Sequence, residues 1–322
     1  MRWRNGAWGR LLVGGLLAAL AAGCSSPEAT VVPRTVSLSI PFTGAWETIG
    51  RALGREYDSR LPHVRADVVM AESLESQVDA MQAGRVDLAL EDAETAYLAY
   101  SRGTARLAVP HDQLRAIGVL FSIAVQVAVP AASDISRIEQ LEGRRVDVGA
   151  PGSAVHRASR IIFESHGFGF DRLTPTYGGS DTLRLFKERA LDARVFYSAF
   201  THPAIDAISR EVDVRVLPIG REHLGAIQER HHFLKTTTIP AGTYPGQAGD
   251  IQTLGMDVLL LCRRDLPETL VYDLTRALFA AVPSLEQVHE AARSIDVERG
   301  PTASIPLHPG AARFYREREI LQ

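Results

Sequence analysis

Cysteine and lysine are both scarce. The 322 residues hold two cysteines, Cys24 and Cys262, and two lysines, Lys187 and Lys235, against 33 arginines. Cys262 closes the apolar run MDVLLLC and is expected to be a buried structural thiol, so no disulfide is predicted. The arginine excess forms no basic cluster after residue 10, which removes nucleic acid from the expected partners, and we read it as genomic base composition. Catalytic signatures are missing too. The chain has no HExxH, no paired CxxC, no GxSxG elbow and no phosphate loop ending in Gly-Lys-Ser/Thr. Its ten histidines are scattered. The adjacent pair, His231-His232, falls near the expected end of a helix, where a solvated or helix-terminal role outweighs metal binding. No catalytic residue, metal or cofactor is therefore predicted and the protein is not expected to be an enzyme, although two acids brought together by a fold would suffice for a hydrolase.

What is present begins with an export signal. Arg2, Arg4 and Arg10 precede the apolar run LLVGGLLAALAA at residues 11–22, well short of the ~20 residues that span a bilayer. Ala21, Ala22 and Gly23 then lead into Cys24, resembling a lipobox in which Ala21 stands where leucine is usual. The reading is a cleaved lipoprotein signal peptide over residues 1–23, lipidation at Cys24 and a polar tether over residues 24–34. It places the protein on the periplasmic side of the cell envelope, lipid-anchored to a membrane. Ser25, directly after the lipidated cysteine, permits sorting to an outer membrane.

The remaining 299 residues carry a formal charge of −6 once the three signal arginines are gone. A composition of 46% hydrophobic and 23% charged residues describes a globular protein with a core or two. Two stretches share one layout of strand, polar turn, helix and strand: ADVVMAESLESQVDAMQAGRVDLAL and LTPTYGGSDTLRLFKERALDARVFY. Leu74, Val78 and Met81 fall on one helical face, Ser73 and Ser180 stand as candidate N-caps, and Asp87 and Asp192 occupy equivalent places. TVSLSI before WETIGRALGREY and RRVDVGA before SAVHRASRIIFESHGF add further strand–helix units. Such alternation implies parallel sheets in α/β lobes. RAIGVLF, AVQVAVP and VDVRVLPI read as strands that could cross between lobes. They are followed by a helix near 221–233, a hairpin-like TTTIPAGTYPG, the strand VLLLC, and helices within 267–282 and 284–294.

In open α/β sheets, ligands bind beyond the carboxyl ends of strands, where turns expose backbone amides at helix N-termini. Thr43, Gly44 and Trp46 follow the first strand, Gly152 and Ser153 open one helix, and Gly178, Gly179 and Ser180 open another. Each turn could hold a ligand or simply cap its helix. Trp46 could stack on a ligand or roof the core. In YSAFTHPAI, Tyr197 and Ser198 end a strand, and Thr201 could cap a helix with His202 and Pro203 in its first turn.

Taken in order, GAWETIG, QAGRVDLALEDAETAYLAY, LEGRRVDVGAPGSAV, LDARVFYSAFTHPAI, IPAGTYPG and IPLHPGAARFYRE resemble the TAXI family of solute receptors, which serve tripartite ATP-independent periplasmic (TRAP) transporters. IPLHPGA is the most specific of these. The resemblance implies a two-lobed periplasmic-binding-protein fold, each lobe a mainly parallel sheet with flanking helices, joined by crossing strands. Lobe 1 is expected over 35–124, lobe 2 over 125–218, and a return to lobe 1 with a C-terminal segment over 219–322. It further implies closure on a small polar solute, of the amino acid or carboxylate class, and docking on TRAP membrane subunits.

On position within that fold, Thr43, Gly44, Trp46, Ser73, Gln77 and Asp92 are expected on the first-lobe wall and Gln126 near a crossing strand. Gly152, Ser153, His156, Tyr197 and His202 are expected on the second. Departures from the family's turns are several. Ala154-Val155 follows Gly152-Ser153, Ser73 begins a Ser-x-x-x-Gln turn, and Asp92-Ala93-Glu94 replaces a Gln-Ser-Asp. If Asp92 lines the cleft, a solute with an amine or several hydroxyls is favoured over a simple anion. The same departures support an alternative, a sensing or interaction lipoprotein that kept the fold, lost transport and works with a membrane sensor kinase.

Overall fold

The computed structural model describes residues 33–41, 44–179 and 181–321. The expected signal peptide, Cys24, the tether as far as residue 32, Thr43 and Ser180 lie outside the described residues.

The first repeat follows its periodicity. β1 (Arg34–Pro41) buries Val36, Leu38 and Ile40. α1 (Gly44–Arg60) brings Ile49, Leu53 and Tyr57 onto the same core at helical spacing. β2 (Val64–Ala71) pairs parallel with β1 along its length. α2 (Leu74–Gln82) starts at Ser73, whose hydroxyl accepts from the Ser76 amide while the Ser76 hydroxyl accepts from the Ser73 amide. β3 (Leu88–Asp92) is buried at every position and pairs parallel with β1. α3 (Ala93–Arg102) follows at once, capped by Asp92.

β4 (Leu114–Pro130) then runs 17 residues without a break, so RAIGVLF and AVQVAVP form one strand and not a pair. Burial of both ends in apolar surroundings favours continuing the ladder over turning. The second repeat copies the first on a smaller scale. It comprises β5 (Arg145–Asp147), α4 (Ala154–Ser165), β6 (Thr174–Thr176), α5 (Thr182–Lys187) and β7 (Ala193–Ser198), with β5 parallel to both β6 and β7. The expected equivalence of the two aspartates is seen in their contacts. Asp87 accepts from the Ser37 amide of β1 at 3.0 Å, and Asp192 from the Arg145 amide of β5 at 2.8 Å.

α6 (Pro203–Ser209) is capped by His202, one residue later than the expected Thr201. β8 (Val214–Leu217), α7 (Arg221–Arg230), β9 (Leu234–Ile239), β10 (Ile251–Arg263), α8 (Glu268–Val288) and α9 (Pro309–Arg316) complete the chain. The helices expected within 267–282 and 284–294 are one helix to Val288 followed by a 3-10 turn at Glu290–Ser294. Proline within a helix removes one hydrogen bond. Buried Leu278, Ala281 and Leu285 on either side of Pro283 hold the helix in register through it.

The ten strands form one sheet in the order β2-β1-β3-β10-β4-β7-β5-β6, with β8 beside β4 and β9 beside β10. Each repeat is thus a parallel three-stranded unit, and the long antiparallel strands β4 and β10 join the two. Two register shifts along β10 leave Ile117 and Leu120 of β4 without partners there. On the other edge of β4, the Val119 amide donates to Gly300 and the Ala116 amide to Pro306, both at 2.9 Å, so the C-terminal segment covers that edge. IPLHPGA lies here. His308 is buried, caps α9 and lies 3.1 Å from the Leu266 carbonyl through Nε2. A Cβ on Gly310 would lie 2.2 Å from the Glu268 carbonyl, so the close packing of α9 on α8 requires glycine. Cys262 is a buried free thiol in β10, as expected. Among the described residues, no helix is long and apolar enough to cross a membrane.

Candidate ligand-binding site

The carboxyl ends of β3 and β7 bring the two repeats together. Glu94, in the first turn of α3, pairs with Arg157, in the first turn of α4, at 3.5 Å. Beside this bridge Asp92 is buried, its Oδ1 accepting from the Thr95 amide at 2.6 Å. Burial raises the Asp92 pKa to about 6 against the pull of that amide, and the Glu94 charge adds to the rise. The Tyr197 hydroxyl, near the end of β7, is buried with no hydrogen-bond partner among the described residues. Burial pushes its pKa up, and the carboxylates of Asp92 and then Glu94 reinforce the effect. Asp92 and Tyr197, one from each repeat, are therefore brought into electrostatic contact. A cavity of about 510 Å³ adjoins the bridge, lined by Glu75, Glu94, Thr95, Arg102, Thr104 and Arg157.

Gln126 and His202 also meet, through a third residue. The His202 amide donates to the Tyr244 hydroxyl at 2.9 Å, and that hydroxyl donates to Gln126 Oε1. Gln126 Nε2 is buried without a partner among the described residues. The His202 ring packs on Phe196, and the Arg194 guanidinium lies over that same Phe196 ring. Burial, then the Arg194 charge, lower the His202 pKa to about 4, so its imidazole is neutral at pH 7. A second cavity, of about 500 Å³, is lined by Ser122, Phe200, Thr201, Pro240, Glu290 and Arg293.

The other selected residues sit apart from these two clusters or serve their own helices. Gly44 opens α1 with φ +46°. Trp46 is buried edge-on against Phe121, 6.1 Å between centroids. Ser73 is engaged in the α2 capping box. Gln77 is buried, its Nε2 donating to the Leu90 carbonyl at 2.5 Å and to Glu91 at 2.8 Å. Gly152 takes φ +83°, and Ser153 caps α4 by accepting from the His156 amide at 3.2 Å. The His156 ring lies between Phe170 and Tyr177. The Gly178 and Gly179 amides both donate to the buried Asp147 carboxylate, at 2.9 and 3.0 Å. That turn satisfies its own donors.

Three residues absent from the sequence selection complete the geometry: Glu94, Arg157 and Tyr244. Arg157 had a readable signal, since it lies four residues after the helix-capping Ser153 and so in the first turn of the same helix. Glu94 carries the same signal after Asp92. Tyr244 lies in a turn 118 residues from Gln126, a separation that local pattern does not bridge. Glu91 was missed as well. It is fully buried between Gln77 and the Asp92 amide, and burial, then the Asp92 charge, hold its pKa well above the carboxylate range.

Two parallel βαβ repeats joined by two crossing strands, with helix N-termini converging at the strand ends, define the architecture of periplasmic binding proteins. The chain belongs to the NMT1-like family, matched over residues 40–318. Among solved structures it is similar to a Xanthomonas citri protein bound to ATP, with 12% identity, a TM-score of 0.53 and coverage of 89% of this chain and 99% of that one. It is also similar to PhnD1 of Prochlorococcus marinus in complex with methylphosphonate, with 13% identity, a TM-score of 0.51 and coverage of 90% and 97%. The periplasmic aliphatic sulphonate binding protein of Escherichia coli matches at 16% identity, a TM-score of 0.49 and coverage of 90% and 95%. What these proteins share with this chain is the fold.

Proposed function

We propose that the protein is an extracytoplasmic solute receptor whose two repeats close on a small polar solute and deliver it to membrane transporter subunits. The observation that carries this reading is the Tyr197 hydroxyl, buried without a hydrogen-bond partner among the described residues and within the field of the Asp92 carboxylate. An unsatisfied buried hydroxyl costs about 1–3 kcal/mol, which a bound polar group recovers. The neighbouring charges indicate the solute's character. Asp92 and Glu94 are acidic and the cation beside them, Arg157, is already paired with Glu94, so an amine-bearing solute suits this part of the site better than the anions of the ATP-bound and methylphosphonate-bound neighbours. An amine beside Asp92 also offsets the cost of ionising a buried carboxyl.

A thermal-shift screen of amino acids, dicarboxylates, polyamines and sugars tests the proposal. Amine-bearing solutes should raise the melting temperature of the wild type and lose that effect in Asp92→Asn and Tyr197→Phe. A well-folded protein with no hit in any class would overturn it. The finer assignment, to the TAXI type serving a TRAP transporter with a lipid anchor at Cys24, is supported by the ordered series of family-like stretches and the signal-like N-terminus. A neighbouring gene for TRAP membrane subunits would support it, and one for an ATP-driven permease would replace it.

The sensing alternative is favoured by one feature, the self-satisfied turns. Gly178–Gly179 is occupied by Asp147, and Arg157 by Glu94. A sensor-kinase gene next to this one, together with an empty screen, would select that reading.

A further inference from the structure

We infer that the protein carries a second site, for a divalent transition-metal ion, built from Glu139, His166 and His223. Three separate elements converge there. Glu139 comes from the 3-10 turn Ile138–Leu141, His166 caps the C-terminus of α4, and His223 lies in the first turn of α7. The donor atoms of the three side chains all lie within 4.8 Å of one another. Ser153 and the ligand-binding site lie at the other end of α4, which spans roughly 18 Å at 1.5 Å per residue.

The hydrogen bonds assign the tautomers. His166 Nδ1 lies 2.8 Å from the Ile162 carbonyl and His223 Nδ1 lies 2.8 Å from the Ser165 carbonyl. A carbonyl only accepts, so each Nδ1 carries a proton, and in the neutral form of either ring it is Nε2 that presents the lone pair. One carboxylate oxygen lies near both nitrogens: Glu139 Oε1 is 4.0 Å from His166 Nε2 and 3.7 Å from His223 Nε2. Both separations are too long for a hydrogen bond. Two imidazole nitrogens and a carboxylate oxygen gathered this closely form a donor set that a cation can hold. Metal–ligand bonds of about 2.1 Å place two donors about 3.4 Å apart in a tetrahedron and at most about 4.2 Å apart, so the 3.7 and 4.0 Å separations from Glu139 fall within reach, and the set as a whole, within 4.8 Å, draws inward on an ion.

The surroundings match metal sites in a second respect. Anchoring each Nδ1–H on a backbone carbonyl is how ligating histidines are oriented. The two rings stack with centroids 3.7 Å apart, and the His166 side chain is almost wholly buried. Glu222 Oε1, 3.6 Å from His223 Nε2, stands ready as a further oxygen donor. Imidazole and carboxylate together suit Zn²⁺, Co²⁺, Ni²⁺ or Cu²⁺, whereas Mg²⁺ and Ca²⁺ prefer all-oxygen sets. Bound there, the ion ties α4 to α7.

The test is calorimetric titration of Zn²⁺ into the metal-free mature protein, with Co²⁺ absorption as a report on imidazole coordination. One ion per chain should bind. Glu139→Gln and His223→Gln should each weaken binding by at least about tenfold and reduce the Co²⁺ bands, while His231→Gln should leave both unchanged. Glu139 is about half exposed, so its substitution spares the fold, and thermal melts in chelator confirm this for each variant. Absence of Zn²⁺ binding, or binding that both variants retain in full, would overturn the inference. Neither result bears on the solute screen, whose readout is separate.

Discussion

The two repeats share one strand order and are held together by different means. The first has strands of eight, eight and five residues whose side chains fill the main core, as Val36, Leu38, Ile40, Leu88 and Leu90 do. The second has strands of three, three and six residues, too short to rely on apolar burial alone. It uses charge instead. Asp147, at the end of β5, accepts from the Gly149, Gly178 and Gly179 amides and faces Arg194 at 3.7 Å, while Arg194 donates onward to Gly179 and Thr182. Apolar packing tolerates loss of one contact by degrees, whereas a buried charge network fails as a unit.

Asp147→Ala should therefore have the largest effect. It leaves three amides without their acceptor and Arg194 without its counter-charge, and we expect a loss of about 3–5 kcal/mol in urea-induced unfolding. A loss under about 1 kcal/mol would show that apolar contacts hold the second repeat as they do the first.

Two pH experiments come next, one on each side of the comparison. The pKa of Asp92 is raised, so its contribution to stability is full below pH 4 and declines as pH climbs through about 6. Asp92→Asn keeps a good N-cap and should match the wild type near pH 3, then exceed it above pH 6 by up to about 3 kcal/mol. The pKa of His202 is lowered, and its sign is opposite. That contribution is full above pH 6.5 and is lost as pH falls through about 4. His202→Asn should lose less stability than the wild type on acidification between those limits, by a similar amount. Chemical denaturation at fixed pH values reads both, and parallel profiles for the two variants would contradict the assigned environments.

The smallest effect concerns the paired aspartates. Asp192→Asn and Asp87→Asn each weaken one carboxylate's bonds to a neighbouring strand, and each should cost about 1 kcal/mol. A twofold or greater difference between them would break the equivalence of the repeats.

Much of the fold was legible. Alternation in TVSLSI, the 3.6-residue spacing of Leu74, Val78 and Met81, and the repeated placement of Asp87 and Asp192 are local patterns, and the elements formed where those patterns lie. What misled was local punctuation overruled by packing. Two helices were expected within 267–282 and 284–294 and two strands in RAIGVLF and AVQVAVP, yet buried neighbours carry one helix through Pro283 and one strand through Ser122. IPLHPGA, the most specific motif, holds α9 against α8 rather than facing the cavities described. Of the residues expected on a cleft wall, Gln126 and His202 share a bond to Tyr244, and Asp92 lies next to Glu94, whose partner is Arg157; Tyr244, Glu94 and Arg157 were not among those selected.

The sequence by itself determined the alternation of strands and helices, the doubled βαβ layout and the buried thiol of Cys262, because periodicity, capping and burial of apolar runs are properties of neighbours in the chain. Only the tertiary structure decided that β4 and β10 lie side by side between the two repeats, that Glu94 meets Arg157 across 63 residues and that Glu139 lies close to His166 and His223. Those contacts follow from sheet register and helix packing, and long-range pairings of this kind leave no periodic trace in one sequence.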